Sequence, residues 1–385
     1  MTTIPYSRQK IDKKDISEIN KVLKSKYLTQ GKLTPLFEKK TTKVVGSKYA
    51  ISVNSATSAL HISCLALGLK NGDILWTSPN SFVASANCGL YCGAKIDFID
   101  IDYETGNISS NLLEEKLIKA KKNNLLPKIL VSVHFAGQPT EQEKIWRLSK
   151  KYGFKIIEDA SHSLGSRRYN ETTGNCKWSD LTVFSFHPVK IITTAEGGIV
   201  TTNSKTLSKK LSELRSHGIY RYNDVSLKNF RFYDQKSLGF NYRINEIQAS
   251  LGITQLDKLK NYVKIRNNLA NNYIKLLKNL PFEPLKQLRY NYSSYHLFVI
   301  RIADNYKFIK ISRIFKFLLK KKIITSSHYF PIHLQSHYKK MGFTKGDFPN
   351  SEKHHKYSLS IPLYPDLNLK MQRKIIKILS ESIKN

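Results

Sequence analysis

The chain has 385 residues, 41% of them hydrophobic, and carries 63 Lys+Arg against 29 Asp+Glu, a net charge of +34. Such a length accommodates a large domain and a smaller one around real cores, and no run approaches the roughly 18 apolar residues that a membrane span needs. The charge excess is scattered and shows no zinc-finger, basic-zipper or aromatic-interleaved RNA-binding pattern, so neither nucleic acid nor a membrane is expected as partner; the positive field favours an anionic small substrate instead.

The N-terminal stretch MTTIPYSRQKIDKKD has no apolar signal core, and a cytoplasmic setting is expected. Between about residues 40 and 205, short β-branched or aromatic runs recur: YAISVN, AKIDFIDID, KILVSVHF, FKIIED, LTVFSF and GGIVTTN. Amphipathic segments lie between some of them, such as TEQEKIWRLSKKYG with its terminal glycine. This alternation predicts an α/β fold with a mostly parallel sheet. Ligands in such sheets sit beyond the carboxyl ends of strands, which makes residues 54–58, 134–138, 159–162 and 185–190 the first candidates. The four cysteines are too few for a disulfide framework; Cys88 and Cys92, one helical turn apart, read as small apolar-face residues because no second ligand pair follows.

After residue 239 a long helical pattern runs to Pro281, and strands such as YHLFVIRI and the basic helical stretch YKFIKISRIFKFLLKKK follow. The expected division is a large α/β domain over 1–250, with an N-terminal helical segment, and a long connecting helix plus a smaller α+β domain over 251–385.

Lys190, in SFHPVKIITTAEGG, follows a strand-like run and precedes a glycine pair. A lysine that captures an aldehyde cofactor such as pyridoxal phosphate needs three companions: a phosphate cradle, a carboxylate for the ring nitrogen and a flat group against the ring. NSATSAL places Thr57 and Ser58 at the start of a helix, where free N–H groups favour a phosphate. Asp159 ends an otherwise apolar strand and suits the ring nitrogen, with a helix cap as its alternative. His162 suits bracing that aspartate or facing the ring hydroxyl. Phe82, after a proline turn, suits stacking, with a core position as its alternative.

Taken together, NSATSAL, TSPNSFVASAN, EDASHSLGS, FSFHPVKIITTAEGGIVTTN, LRSHG and GFNYRINEIQASLGITQLDKL resemble the DegT/DnrJ/EryC1/StrS family of sugar aminotransferases over nearly the whole chain. The resemblance implies the fold-type I pyridoxal-phosphate transferase architecture. It makes Lys190 the cofactor-binding lysine, Asp159 the partner of the ring nitrogen and Phe82 the stacking ring, and it assigns Thr57, Ser58 and Ser185 to the phosphate. It also implies that Asn241 reaches the phosphate of a neighbouring subunit, hence a homodimer with shared sites. His162 departs from the glutamine usual in the family. The substrates implied are L-glutamate and a nucleotide-linked 4-keto-6-deoxy sugar, and within the family the likeness is to the branch that aminates UDP-4-keto-6-deoxy-N-acetyl-L-altrosamine on the route to pseudaminic acid. A GDP- or dTDP-sugar or a UDP-pentose is the alternative acceptor, and a non-catalytic member of the family is the other alternative, against which the intact Lys190 counts. Arg215, His217, Arg243, His328 and Tyr329 are candidates for the nucleotide sugar, and Glu196 for ordering the loop after Lys190.

Overall fold

The computed structural model describes residues 3–221 and 233–384. Two helices, α1 (Lys13–Leu23) and α2 (Leu33–Val45), precede the main sheet; Asp12 caps α1 through a capping box with Asp15. The elements then alternate as β1 (Tyr49–Val53), α3 (Ala56–Ala66), β2 (Ile74–Thr77), α4 (Ala84–Leu90), β3 (Lys95–Phe98), α5 (Ser110–Lys122), β4 (Ile129–Val133), α6 (Gln142–Tyr152) and β5 (Lys155–Asp159). A small hairpin, β6 (Arg167–Arg168) and β7 (Glu171–Thr172), leads to β8 (Leu181–Ser185), β9 (Gly198–Thr202) and α7 (Lys205–Arg215).

The seven-stranded sheet has the order β1-β9-β8-β5-β4-β2-β3. All neighbours are parallel except β9, which runs antiparallel to both β1 and β8. The expected mostly parallel sheet is present, and each expected run forms a strand. The structure adds β2, whose four residues ILWT are too short to stand out by pattern, and reverses β9, whose direction GGIVTTN does not reveal. Because β9 runs backwards, its first residue, Gly198, lies at the same sheet edge as the ends of the parallel strands. Burial of β4, β8 and β9 is nearly complete along their length, which explains why they read as continuous apolar runs.

Beyond the short pair β10 (Ile219–Arg221) and β11 (Tyr233–Gln235), the 32-residue α8 (Glu246–Leu277) starts at the Asn245 cap, with Gln248 closing a capping box. The helix thus begins a few residues before the expected division at 250. Its first half packs on α1, α2 and the main core, and its second half enters a separate apolar cluster built from Leu269, Tyr273, Phe298, Ile300, Ile314 and Ile361. That cluster belongs to a second, antiparallel sheet of β12 (Phe282–Pro284), β14 (Phe298–Ile302) and β15 (Ser358–Ile361); the two-residue β13 (Asn291–Tyr292) pairs instead with β6. Helices α9 (Ile311–Lys320), α10 (Ser336–Lys339), α11 (Pro349–Tyr357) and α12 (Leu369–Lys384) complete this part. The N-terminal segment ties the two parts together. Ile4 exchanges backbone hydrogen bonds with Lys322 and Ile324, Tyr6 accepts one from Leu363, and the Ser7 hydroxyl donates to the Val189 carbonyl beside Lys190.

Candidate active site

A cavity of about 450 Å³ opens at the edge where the parallel strands end. Its lining includes Ser55, Ala56 and Thr57 from the start of α3, Asp159, Ser161 and His162 after β5, and Ser185, His187 and Lys190 after β8. The strand-end rule located these groups correctly in three of its four places. It failed for residues 134–138. Successive strand residues face opposite sides of a sheet, and His134 lies on the face away from the cavity, where its Nε2 is 2.6 Å from the buried Glu158. Asp159, the next residue, faces the cavity.

Lys190 sits on a turn held from both sides. Its N–H donates to the His187 carbonyl, Ile191 and Ile192 are buried, and Thr193 and Thr194 both donate back to the Phe186 carbonyl. Burial lowers the pKa of its amine to about 8, against a smaller opposing pull from Asp159. A large share of the amine is therefore neutral, hence nucleophilic, in mildly alkaline solution.

Asp159 is 6% exposed. Its Oδ2 accepts the Ser85 hydroxyl at 2.6 Å and its Oδ1 accepts the Ser161 N–H at 3.1 Å. Both bonds fix the carboxylate and leave it at the cavity surface. Phe82 also lines the cavity and is 59% exposed, which rules out the core position and leaves a large flat apolar ring in solvent.

At the start of α3 the cap is Ser55, whose hydroxyl accepts the Ser58 N–H. The Ala56 and Thr57 N–H groups are left at the positive end of the helix dipole. Ser58 does not fit the expectation of a phosphate-binding hydroxyl. It is buried, outside the cavity lining, and donates to Asn54 Oδ1 at 2.7 Å; Ser55 takes its place in the lining. Gly198 makes the cradle possible, because a Cβ there would lie 2.6–2.7 Å from backbone atoms of Ser55 and Ala56.

Of the residues named for the nucleotide sugar, Tyr329 and His328 line the cavity, while Arg215, His217 and Arg243 do not. Arg215 is committed elsewhere in this chain: Nη1 pairs with Glu38 and donates to the Ser52 carbonyl, so its charge is compensated behind β1. His217 adopts a left-handed backbone (φ 62°) and is held by the Phe240 carbonyl. Asn241, exposed and bridged to Ser216, also lies outside this cavity. Glu196 stands at the rim, and its backbone carbonyl accepts from Thr194 and Gln248, which orders the loop after Lys190.

His162 does not brace Asp159. Its Nε2 lies 3.0 Å from the Tyr329 hydroxyl, and its ring packs 4.4 Å from that of His296. Tyr6 and His296 complete the lining, and neither was foreseen. Tyr6 arrives with the N-terminal strap and His296 with the approach to β14, so no local pattern marks them. Burial and then the Lys190 charge hold His162 well below the usual histidine range, and lower His328 to about 3. The same burial also depresses His296, and raises Tyr329. The Lys190 amine thus shares the lining with the neutral rings of His162, His296 and His328.

The residues fit pyridoxal phosphate: a half-buried reactive amine, a fixed carboxylate, an exposed ring and a backbone cradle that a side chain at Gly198 would fill. No group of three or more metal-ligating side chains converges among the described residues.

Known proteins bear on this arrangement. A transaminase of Campylobacter jejuni, named for UDP-4-amino-4,6-dideoxy-N-acetyl-beta-L-altrosamine, is 40% identical over 95% of this chain and 94% of its own. The Helicobacter pylori transaminase of the same name is 37% identical over 97% of this chain and 96% of its own. The crystal structure of Helicobacter pylori PseC, described as an aminotransferase of pseudoaminic acid biosynthesis, superimposes with a TM-score of 0.91 at 35% identity over the full length of both chains. The DegT/DnrJ/EryC1/StrS aminotransferase pattern matches residues 9–380, and with fold and cavity in agreement the chain belongs to that family, in the fold-type I aminotransferase architecture.

Proposed function

We propose that this aminotransferase uses pyridoxal phosphate, takes an amino group from L-glutamate and places it on C4 of UDP-4-keto-6-deoxy-N-acetyl-L-altrosamine, a step toward pseudaminic acid. The observation that carries the reading is the Lys190 amine, nucleophilic and fixed, in one cavity with Asp159, Phe82 and the α3 cradle. The sugar is supported by the names of relatives at 37–40% identity.

When bound, pyridoxal phosphate supplies an aldehyde and an electron-withdrawing ring. Lys190 would hold that aldehyde, and its amine, when free, would serve as the base that moves a proton at the donor's α-carbon. Asp159, fixed by Ser85 and Ser161, pairs with the ring nitrogen and keeps a proton there. Phe82 would lie against the ring, and Ala56, Thr57 and Ser185 would hold the phosphate. In the second half-reaction Lys190 returns the proton in the opposite sense. The +34 net charge attracts the anionic nucleotide sugar.

The proposed assembly is a homodimer in which Asn241 serves the neighbouring cofactor; its exposure and its place outside the chain's own cavity agree with this. Four unpaired cysteines agree with a cytoplasmic setting. The division of the chain within α8 is proposed on the two separate apolar clusters that the helix joins.

The test follows the visible absorbance of the holoenzyme through additions of L-glutamate and then the UDP-keto-sugar. Loss of the lysine-bound band with glutamate and its return with the sugar are expected. Return only with a GDP-, dTDP- or UDP-pentose keto sugar contradicts the acceptor, and no response to glutamate contradicts the donor.

A further inference from the structure

Six polar rings line the cavity: the exposed His187, and Tyr6, His162, His296, His328 and Tyr329, which are buried or half-buried. Burial fixes where their hydrogens lie. Nδ1 of both His162 and His296 is buried without a partner. A buried N–H with no acceptor is rarer and costlier than an unfilled lone pair, so in each ring the proton belongs on Nε2. His162 Nε2–H then donates to Tyr329 Oη across 3.0 Å, which leaves the Tyr329 proton free to donate to something else. His296 Nε2 has no partner among the described residues and is left to face the cavity as an N–H. His328 differs, because its Nδ1 pairs with Ser360 Oγ at 2.8 Å.

The backbone under both donors is held. Arg266 Nη1 donates to the carbonyls of Tyr295, His296 and Leu363 at 3.0–3.3 Å, and the Tyr329 N–H donates to Asn80 Oδ1 at 3.1 Å. Burial first, and the neighbouring charges including Lys190 after it, keep both imidazoles neutral at physiological pH. Neutral donors in such a place suit an uncharged oxygen that gains negative charge during reaction, rather than a carboxylate or phosphate.

We propose that Tyr329 Oη–H and His296 Nε2–H form a two-donor grip on the oxygen of the carbonyl that the enzyme aminates, with His162 as the positioning residue that turns the tyrosine hydroxyl. The inference rests on the aminotransferase reading above. As a nitrogen–carbon bond forms at the acceptor, the C=O π pair moves onto oxygen, and the two donors stabilise that charge.

The test separates the half-reactions in single-turnover absorbance on the holoenzyme. Tyr329→Phe and His296→Ala each slow the sugar step on the order of 10²-fold and change the glutamate step less than about threefold. His296→Asn, which keeps an N–H donor, restores most of the loss. Proton–nitrogen correlation spectra of the holoenzyme with ¹⁵N-labelled histidine show the Nε2–H form at His162 and His296. Equal slowing of both half-reactions, no slowing of either, or Nδ1–H forms overturn the grip while leaving the transaminase standing. A wild-type enzyme that ignores glutamate overturns the underlying reading and the grip with it.

Discussion

The cavity has two kinds of wall. One is made by residues at strand ends and helix starts of the main sheet, Thr57, Asp159 and Ser185, with Lys190 on the turn after β8 and Phe82 at the entrance to α4. The other is made by Tyr6, His296, His328 and Tyr329, which come from the N-terminal strap and from segments around the second sheet. The first wall is set by topology, since parallel strands deliver their last residues to one edge. The second depends on how distant segments meet. A fold can thus keep one chemistry at the first wall while the second changes.

Breaking the first wall has the largest expected effects. Lys190→Ala folds, binds no aldehyde covalently and shows background transfer, a loss of roughly 10⁴-fold or more on the scale of other nucleophile deletions; turnover assays and circular dichroism check both halves. Asp159→Asn keeps the cofactor but slows transfer on the order of 10²-fold or more, read as kcat with cofactor saturating.

Gly198→Ala sharpens the comparison differently, because its new Cβ meets backbone rather than a yielding side chain. It destabilises by about 1–3 kcal/mol and weakens cofactor affinity, as thermal melts with and without pyridoxal phosphate would show. Phe82→Ala has the smallest effect of these. A lost stacking contact of about 0.5–1.5 kcal/mol weakens cofactor binding roughly twofold to thirteenfold, and the melting temperature of the cofactor-free protein stays unchanged because the ring is exposed.

The pH dependence follows from Lys190. Burial depresses its pKa from 10.5 to about 8, so between those values the unfolded chain holds a proton that the folded chain has lost. This site therefore adds stability as pH rises from about 8 toward 10.5 and withdraws it as pH falls back. The rate of aldehyde capture by the cofactor-free protein rises through about pH 8 and then levels off, and stopped-flow mixing with pyridoxal phosphate at several pH values measures it.

Much of the first wall is legible in the sequence because each of its residues has a local signature. Asp159 breaks an apolar strand, Ser55 and Thr57 open a helix, and Lys190 sits between a strand and a glycine pair. The same rule misleads at His134, since one residue of register decides which face of the sheet a side chain occupies. Ser58 misleads through capping: its N–H and hydroxyl are used within the chain by Ser55 and Asn54. Arg215 looked available because an arginine's ion pair with a residue as distant as Glu38 leaves no trace in sequence. Tyr6 and His296 carry no local mark at all. Their place in the cavity is created by the Ile4 and Tyr6 backbone bonds and by the Arg266 clamp, contacts between segments far apart in the chain.

One lysine, Lys190, in a chain with 63 Lys and Arg residues, is proposed as the cofactor's anchor. Borohydride reduction of the holoenzyme followed by peptide mapping tests it most directly. A single phosphopyridoxyl group on Lys190 is expected; a group spread over surface lysines, or fixed on any other one, rules Lys190 out as the anchor.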